Sequence, residues 1–252
     1  MGRHWKYIAA LVSLGLGSAL VSIAAAATPS VWVGAGGWNH DPRGTVQYQG
    51  DTLDLNRDLG LGRRTAAFAW LTLESPIPLL PNLRLVYTNA STGGASTLSR
   101  DLTFGGTTFT TSENIASQAA LDQYDAVLYY SLLRTWMQVD LGVDVKYLNG
   151  DVQVQSGTQF ERTRVSGAVP MLYANAVIPL PIPGTSVGAN ASYTRYAGSR
   201  LLDYTLKGAY ESRLGLGAEI GWRGQKIRLN GFQNVNADIT WRGPYAGMFY
   251  HF

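Results

Sequence analysis

Three histidines are the first place to look for chemistry in this chain, because imidazole exchanges protons near neutral pH. His4 stands at the start, His251 is next to last, and His40 is followed by Asp41. A His–Asp dyad can activate water as a general base. Here the two residues are adjacent, so on an extended strand their side chains point to opposite faces. His40 therefore reads as an ordinary loop residue at the outer end of a first strand. No G-x-S-x-G is present, and no nucleophile is placed with a plausible histidine. Asp51, Asp54 and Asp58 lack the spacing of a calcium loop and read as a solvated acidic loop. "GAGG" (34–37) and "FGGTTF" (104–109) are not phosphate loops: the first lies in a strand, and the second lacks a lysine and a following helix. The second reads as a protruding Gly-Gly hairpin. Cysteine is absent, which removes disulfides and thiolate metal sites. No catalytic, cofactor-binding or metal residue is expected, and the chain reads as non-enzymatic.

The composition points elsewhere. Of 252 residues, 46% are hydrophobic and only 15% charged, against about a quarter in soluble proteins. Without Arg3 and Lys6 the chain carries 18 basic and 17 acidic residues. Near-neutrality argues against a nucleic-acid partner, which needs a basic surface.

The opening segment 1–27 has the parts of an export signal. Arg3 and Lys6 give a basic start, an apolar stretch runs from Ile8 to Ile23, and Ala24–Ala27 offers an A-x-A cut. Ala25 and Ala27 are the expected cleavage residues, leaving 28–252 as one mature domain. No later stretch is long and apolar enough for a membrane helix.

Residues 28–252 read with period two, the signature of half-buried strands. In 136–147, Met137, Val139, Leu141, Val143, Val145 and Tyr147 alternate with Gln138, Asp140, Gly142, Asp144 and Lys146. The stretches 123–133, 187–194, 202–211 and 214–225 alternate likewise. Weaker strands read at 31–40, 64–74, 83–90 and 163–178, the last broken by Pro170. With the final strand the number is ten; eight and twelve stay open, because 46–55 and 102–110 could extend strands or add a hairpin. Long polar connections at 41–62, 91–122, 150–162, 197–201 and 226–240 alternate with short ones, placing long loops at one end.

The polar faces are rich in glycine and mixed charges, and the apolar faces carry Tyr and Trp near strand ends. Aromatic rims favour a membrane–water boundary. Together these features predict a closed, all-β, transmembrane antiparallel up-and-down barrel of about ten strands, apolar side outward. Closure leaves no unpaired edge in hydrocarbon. The ending fits: Ala246, Met248, Tyr250 and Phe252 share one face of a terminal strand. Met248, Tyr250 and Phe252 are read as the signal recognised by barrel-assembly machinery.

"AGGWN" (35–39), "LDLNRDLGL" (53–61), "ESPIPLLPNLRLVYT" (74–88), "FGGTTF" (104–109), "LYYSLL" (128–133), "VDLGVDVKYLNGDV" (139–152) and "WRGPYAGMFYHF" (241–252) carry a resemblance. The chain resembles a family of roughly ten-stranded Gram-negative outer-membrane barrels of unassigned molecular function. The resemblance implies fold and bacterial outer-membrane location and supplies no site residues. The ten-stranded outer-membrane proteases also use a His–Asp dyad, but no motif around His40 matches theirs.

What remains is the charge assigned to the lumen, chiefly Asp140, Asp144, Lys146, Lys207, Glu219 and Arg223. Enclosed charges must pair, and Trp70 and Tyr129 narrow the bore. The expected function is a structural or surface-interaction protein with a plugged lumen; the alternatives are a narrow channel for small solutes and, third, a membrane hydrolase. Expected partners are outer-membrane lipids, the export and barrel-assembly systems, and an unidentified ligand at the external loops. No cofactor is expected.

Overall fold

The computed structural model describes residues 29–77, 79–157 and 159–252. The expected cut at Ala25 and Ala27 lies outside the described residues. Fourteen strands follow one another: β1 (Ser30–Tyr48), β2 (Thr52–Asp54), β3 (Arg64–Glu74), β4 (Asn82–Asn89), β5 (Thr92–Thr97), β6 (Leu102–Phe104), β7 (Thr107–Phe109), β8 (Asn114–Arg134), β9 (Gln138–Ser156), β10 (Gln159–Pro179), β11 (Thr185–Tyr196), β12 (Ser199–Glu211), β13 (Leu216–Phe232) and β14 (Val235–His251).

Ten of them, β1, β3, β4 and β8–β14, form one closed antiparallel barrel. Closure comes from β14 on β1, paired from Trp32↔His251 to Tyr48↔Val235. β2 bonds to the upper part of β1, and β5 continues the line of β4 along β8. The pairing is staggered. From Ile178 the partners run through Val187, Gly208, Ile220, Ala246, Gly37, Ala67, Asn89, Asp122 and Asn149 to Ser166, twelve residues from the start on β10. Such a shear over ten strands tilts them by roughly 40°, so a row of paired residues climbs as it circles the barrel.

The apolar face points outward. Leu128, Val143, Leu172, Leu206, Ile220 and Met248 are exposed, Leu172 at 71% and Ile220 at 67%. Tyr124, Tyr147, Tyr193 and Trp222 stand near one end of this band, and Tyr130, Tyr210 and Tyr250 near the other, all partly exposed. This is the architecture of barrels that span an outer membrane. Glycine on the inner face makes room for aromatic rings: a Cβ on Gly34 would stand 2.6 Å from the Trp70 indole.

Farther along the strands the pattern inverts. On β9 the outward side is apolar from Leu141 to Tyr147. Beyond Gly150, Asp151 and Gln153 face outward while Val154 is fully buried. On β13 Trp222 faces out, but four residues on Lys226 is outward and Ile227 buried. This change of phase marks where the outer wall passes from lipid to water.

The inversion corrects the sequence reading. The stretches 150–162, 197–201 and 226–240 are strand continuations and tight turns rather than long loops. The stretches 41–62 and 91–122 hold the end of β1, β2, β5, the β6–β7 hairpin and the start of β8. The hairpin does not protrude: Gly105 and Gly106 turn it with positive φ, and Phe104 and Phe109 are fully buried. They join Leu53, Leu59, Leu102 and Ile115 in an apolar core at the loop end. Pro170 is accommodated because β11 pairs with β10 only from Leu172 onward, leaving no partner for the missing amide.

Candidate functional site

The inner wall between the two ends is where charge is enclosed. Period two places Asp125 on β8, Asp140, Asp144 and Lys146 on β9, Asp203 and Lys207 on β12, and Glu219 and Arg223 on β13 on that wall. Lys146 is 1% exposed and its ammonium contacts Asp125 and, at 3.1 Å, Asp203. Arg223 donates to Asp203 at 2.9 Å and to Thr88 Oγ1 at 3.0 Å, and its guanidinium lies 4.9 Å from the Trp38 ring centre. Gln123 and Gln225 exchange amide hydrogen bonds of 2.9 and 2.6 Å across the lumen. Gln225 also donates to Asp203 at 3.3 Å. The result is one network linking β4, β8, β9, β12 and β13.

Two smaller groups sit nearby. Lys207 donates to Glu219 at 3.2 Å. Asp140 accepts from Asn175 at 2.7 Å and from Gln138 at 3.0 Å. A cavity of about 80 Å³ lies among Trp70, Arg84, Asp144, Lys207, Glu219 and Arg223. It has room for a few waters. Of the six charges singled out from sequence, Asp144, Lys207, Glu219 and Arg223 border this cavity. Lys146 lies in the network beside it, and Asp140 stands apart, bonded to amides.

His40 is not a loop residue. It lies on β1, fully buried beside Trp38 with ring centres 4.9 Å apart. Among the described residues neither of its nitrogens has a hydrogen-bond partner. The inward turn of β1 at this point, hidden in a weakly alternating stretch, decides its place.

The acidic residues of 51–58 are not a merely solvated loop: Asp54 and Asp58 hold a turn, Asp58 itself buried, and Asp51 ties the segment to β6. Asp51 accepts from the Thr103 amide at 2.8 Å, Asp54 from the amides of Asn56 and Arg57, and Asp58 from the Asp54 amide. Such Asx-type bonds fold the segment onto the apolar core. Above the band, Asp151 is held down to about 2 by hydrogen bonds from Arg162, with Gln153 and Arg164 adding to them.

One arrangement escaped the sequence reading. Ser30 Oγ is 2.7 Å from His251 Nε2, and His251 Nδ1 is 2.7 Å from Glu211. The three are brought together from β1, β14 and β12, so spacing in the chain gives no signal. The order is that of a nucleophile, a base and an orienting acid. However, Trp32 stacks on the imidazole at 4.0 Å, and none of the three residues borders the lumen cavity. The chain of bonds ties the first strand to the last at the seam of closure. Met248, Tyr250 and Phe252 face outward beside it, Tyr250 and Phe252 in edge contact at 4.6 Å. Among the described residues no group of three His, Asp or Glu side chains is placed to hold a metal.

No family model matches this chain, and no curated protein matches it. Solved structures do. The attachment invasion locus protein Ail of Yersinia pestis is 12% identical, over 88% of this chain and 99% of that one, with a TM-score of 0.39. A major outer membrane protein from Thermus thermophilus is 14% identical over 89% and 100%, with a TM-score of 0.39. The translocator domain of autotransporter NalP from Neisseria meningitidis is 13% identical over 88% and 87%, with a TM-score of 0.41. Likenesses this distant carry no function; the barrel itself rests on the closed pairing of its ten strands.

Proposed function

We propose that this chain is an integral outer-membrane barrel with a closed lumen and a non-enzymatic, structural or surface-interaction role. In this reading segment 1–27 directs export and is removed at Ala25–Ala27. The assembly machinery reads Met248, Tyr250 and Phe252, and both ends of the barrel polypeptide face the periplasm. The loop end then faces outward and offers a surface to an unidentified ligand.

The observation that carries this reading is the Asp125–Lys146–Asp203–Arg223 network, which reaches across the bore. The apolar cluster of Leu53, Leu59, Phe104 and Phe109 at the loop end supports it. A conducting pore needs a continuous wet path with binding weak enough to release the solute. Purified mature protein in planar bilayers is expected to give no steady single-channel steps. Steady steps would favour the narrow channel.

The hydrolase reading has its own observation in Ser30, His251 and Glu211. A fluorophosphonate probe, which acylation-competent serines capture, is expected to leave Ser30 unlabelled in the folded barrel. Labelling lost with Ser30→Ala would overturn the non-enzymatic reading.

A further inference from the structure

Just beyond the apolar band, on the outer wall from β11 round to β1, the outward positions turn cationic. Along β11, Tyr193 is followed outward by Arg195. Along β12, Tyr204 gives way to Leu202 and then Arg200. Along β13, Trp222 is followed by Gly224, Lys226 and Arg228. Arg242 on β14 and Arg43 on β1 continue the stretch. Six cationic side chains here meet two carboxylates, Asp41 and Asp238. Both are already engaged: Asp41 by Arg43 at 2.9 Å, and Asp238 by Arg228 and Lys226.

The pairing makes the cluster unusual. Arg195 lies directly opposite Arg200, and Arg200 directly opposite Arg228. Like charges in direct cross-strand register destabilise a sheet. Among the described residues neither Arg195 nor Arg200 has an ion-pair partner, and both are exposed. The β11–β12 turn at Ala197–Gly198 is also set low. β11 and β12 have 12 and 13 residues, against 21 in β10 and 17 in β13. Of three arginines abreast at a low sill, only Arg228 has a carboxylate, Asp238, so Arg195 and Arg200 break a local rule with no compensation inside the chain, as functional positions do. An anion between them would supply the compensation.

The height of the cluster says where that anion comes from. On β13 the inversion from apolar-out to apolar-in falls between Trp222 and Lys226. At about 3.3 Å per residue along a tilted strand, Arg195, Arg200 and Lys226 stand within roughly 10 Å of the aromatic residues on their own strands, and Arg228 about 15 Å from Trp222. That is headgroup depth, where each arginine or lysine adds about 1 kcal/mol of attraction to anionic lipid.

We infer that Arg195, Arg200, Arg228 and Lys226 form a binding site for the phosphate groups of a lipid headgroup in the leaflet at the loop end. Arginine suits phosphate because its planar fork donates two parallel hydrogen bonds. The inference rests on the membrane orientation proposed above. In the outer membrane the fitting chemistry is that of a phosphorylated glycolipid such as lipid A.

The test measures binding of lipid A by the mature barrel in neutral detergent micelles, beside the same glycolipid with its phosphates removed and inorganic phosphate alone. Folding is checked separately by heat-modifiable gel migration, so a chain that never forms a membrane barrel counts against the orientation and not against the site. The folded barrel is expected to bind lipid A at least tenfold more tightly than the dephosphorylated form. Arg195→Gln with Arg200→Gln should weaken lipid A binding roughly 25-fold, about fivefold for each arginine, and added salt should weaken it in the unsubstituted chain. Equal binding of the two glycolipids would overturn the inference even if the variant failed to fold. Full competition by equimolar inorganic phosphate would assign the site to a free anion and contradict a lipid site.

Discussion

Replacing Lys146 with methionine is expected to cost about 3–5 kcal/mol, the usual loss when one member of a buried ion pair is removed. The ammonium is 1% exposed and lies against Asp125 and Asp203. Without it, Asp125 loses its charged partner and Asp203 keeps only Arg223 as a charged partner, beside the amide of Gln225. The side chain of methionine fills most of the space, so a cavity explains little of the loss. The second half of the experiment separates charge from packing. Lys146→Met combined with Asp125→Leu removes the orphaned carboxylate, and replacing a whole buried pair by apolar groups is often neutral. The double variant should recover most of the stability. Urea unfolding in phospholipid vesicles, followed by tryptophan fluorescence, reads both. A single variant as stable as the parent would mean that water or movement screens the network, and the closed-lumen reading would lose its main support.

Val143→Arg is expected to cost about 2–4 kcal/mol or to block insertion outright, the penalty for a cation on the lipid face near the midplane. Val143 lies between Leu128 and Leu172 in the pairing, midway along the apolar run of β9. The same change at Gln153, outward on the same strand but beyond the inversion, should cost less than about 0.5 kcal/mol. The contrast between two outward positions ten residues apart is the informative quantity. Equal tolerance of both would remove the membrane boundary placed between Tyr147 and Asp151.

These two substitutions also show what was legible in the sequence. Lys146 and Val143 fall on opposite faces by simple alternation, and a local rule with period two suffices to sort them. Above the rim the alternation continues with its phase reversed. Val152 and Val154 turn inward because the outer wall now meets water and the inner wall meets the apolar core of the folded loops. Read with a fixed face, 150–162 and 226–240 look like polar loops. His40 reads as a loop residue for a related reason, since the mixed residues around it hide a strand that continues to Tyr48. The seam of Ser30, His251 and Glu211 joins residues up to 221 apart in the chain, and no spacing rule can find it. The arginine row had the same obstacle: each member is unremarkable alone, and only the register of β11, β12 and β13 sets them side by side.

The most direct test of the account asks which side of a strand touches lipid. The chain has no cysteine, so single cysteines introduced at Thr205, Leu206, Gly208 and Ala209 on β12 carry a spin label without competition. Thr205 and Ala209 face inward and Leu206 and Gly208 outward, all at positions where a label replaces no charge. In reconstituted vesicles, collision with molecular oxygen, which concentrates in acyl chains, should be high at 206 and 208. Collision should be low at 205 and 209, and a water-soluble nickel chelate should reach none of the four freely. High oxygen access at 205 and 209 with protection at 206 and 208, or nickel access to the outward pair, would contradict the account.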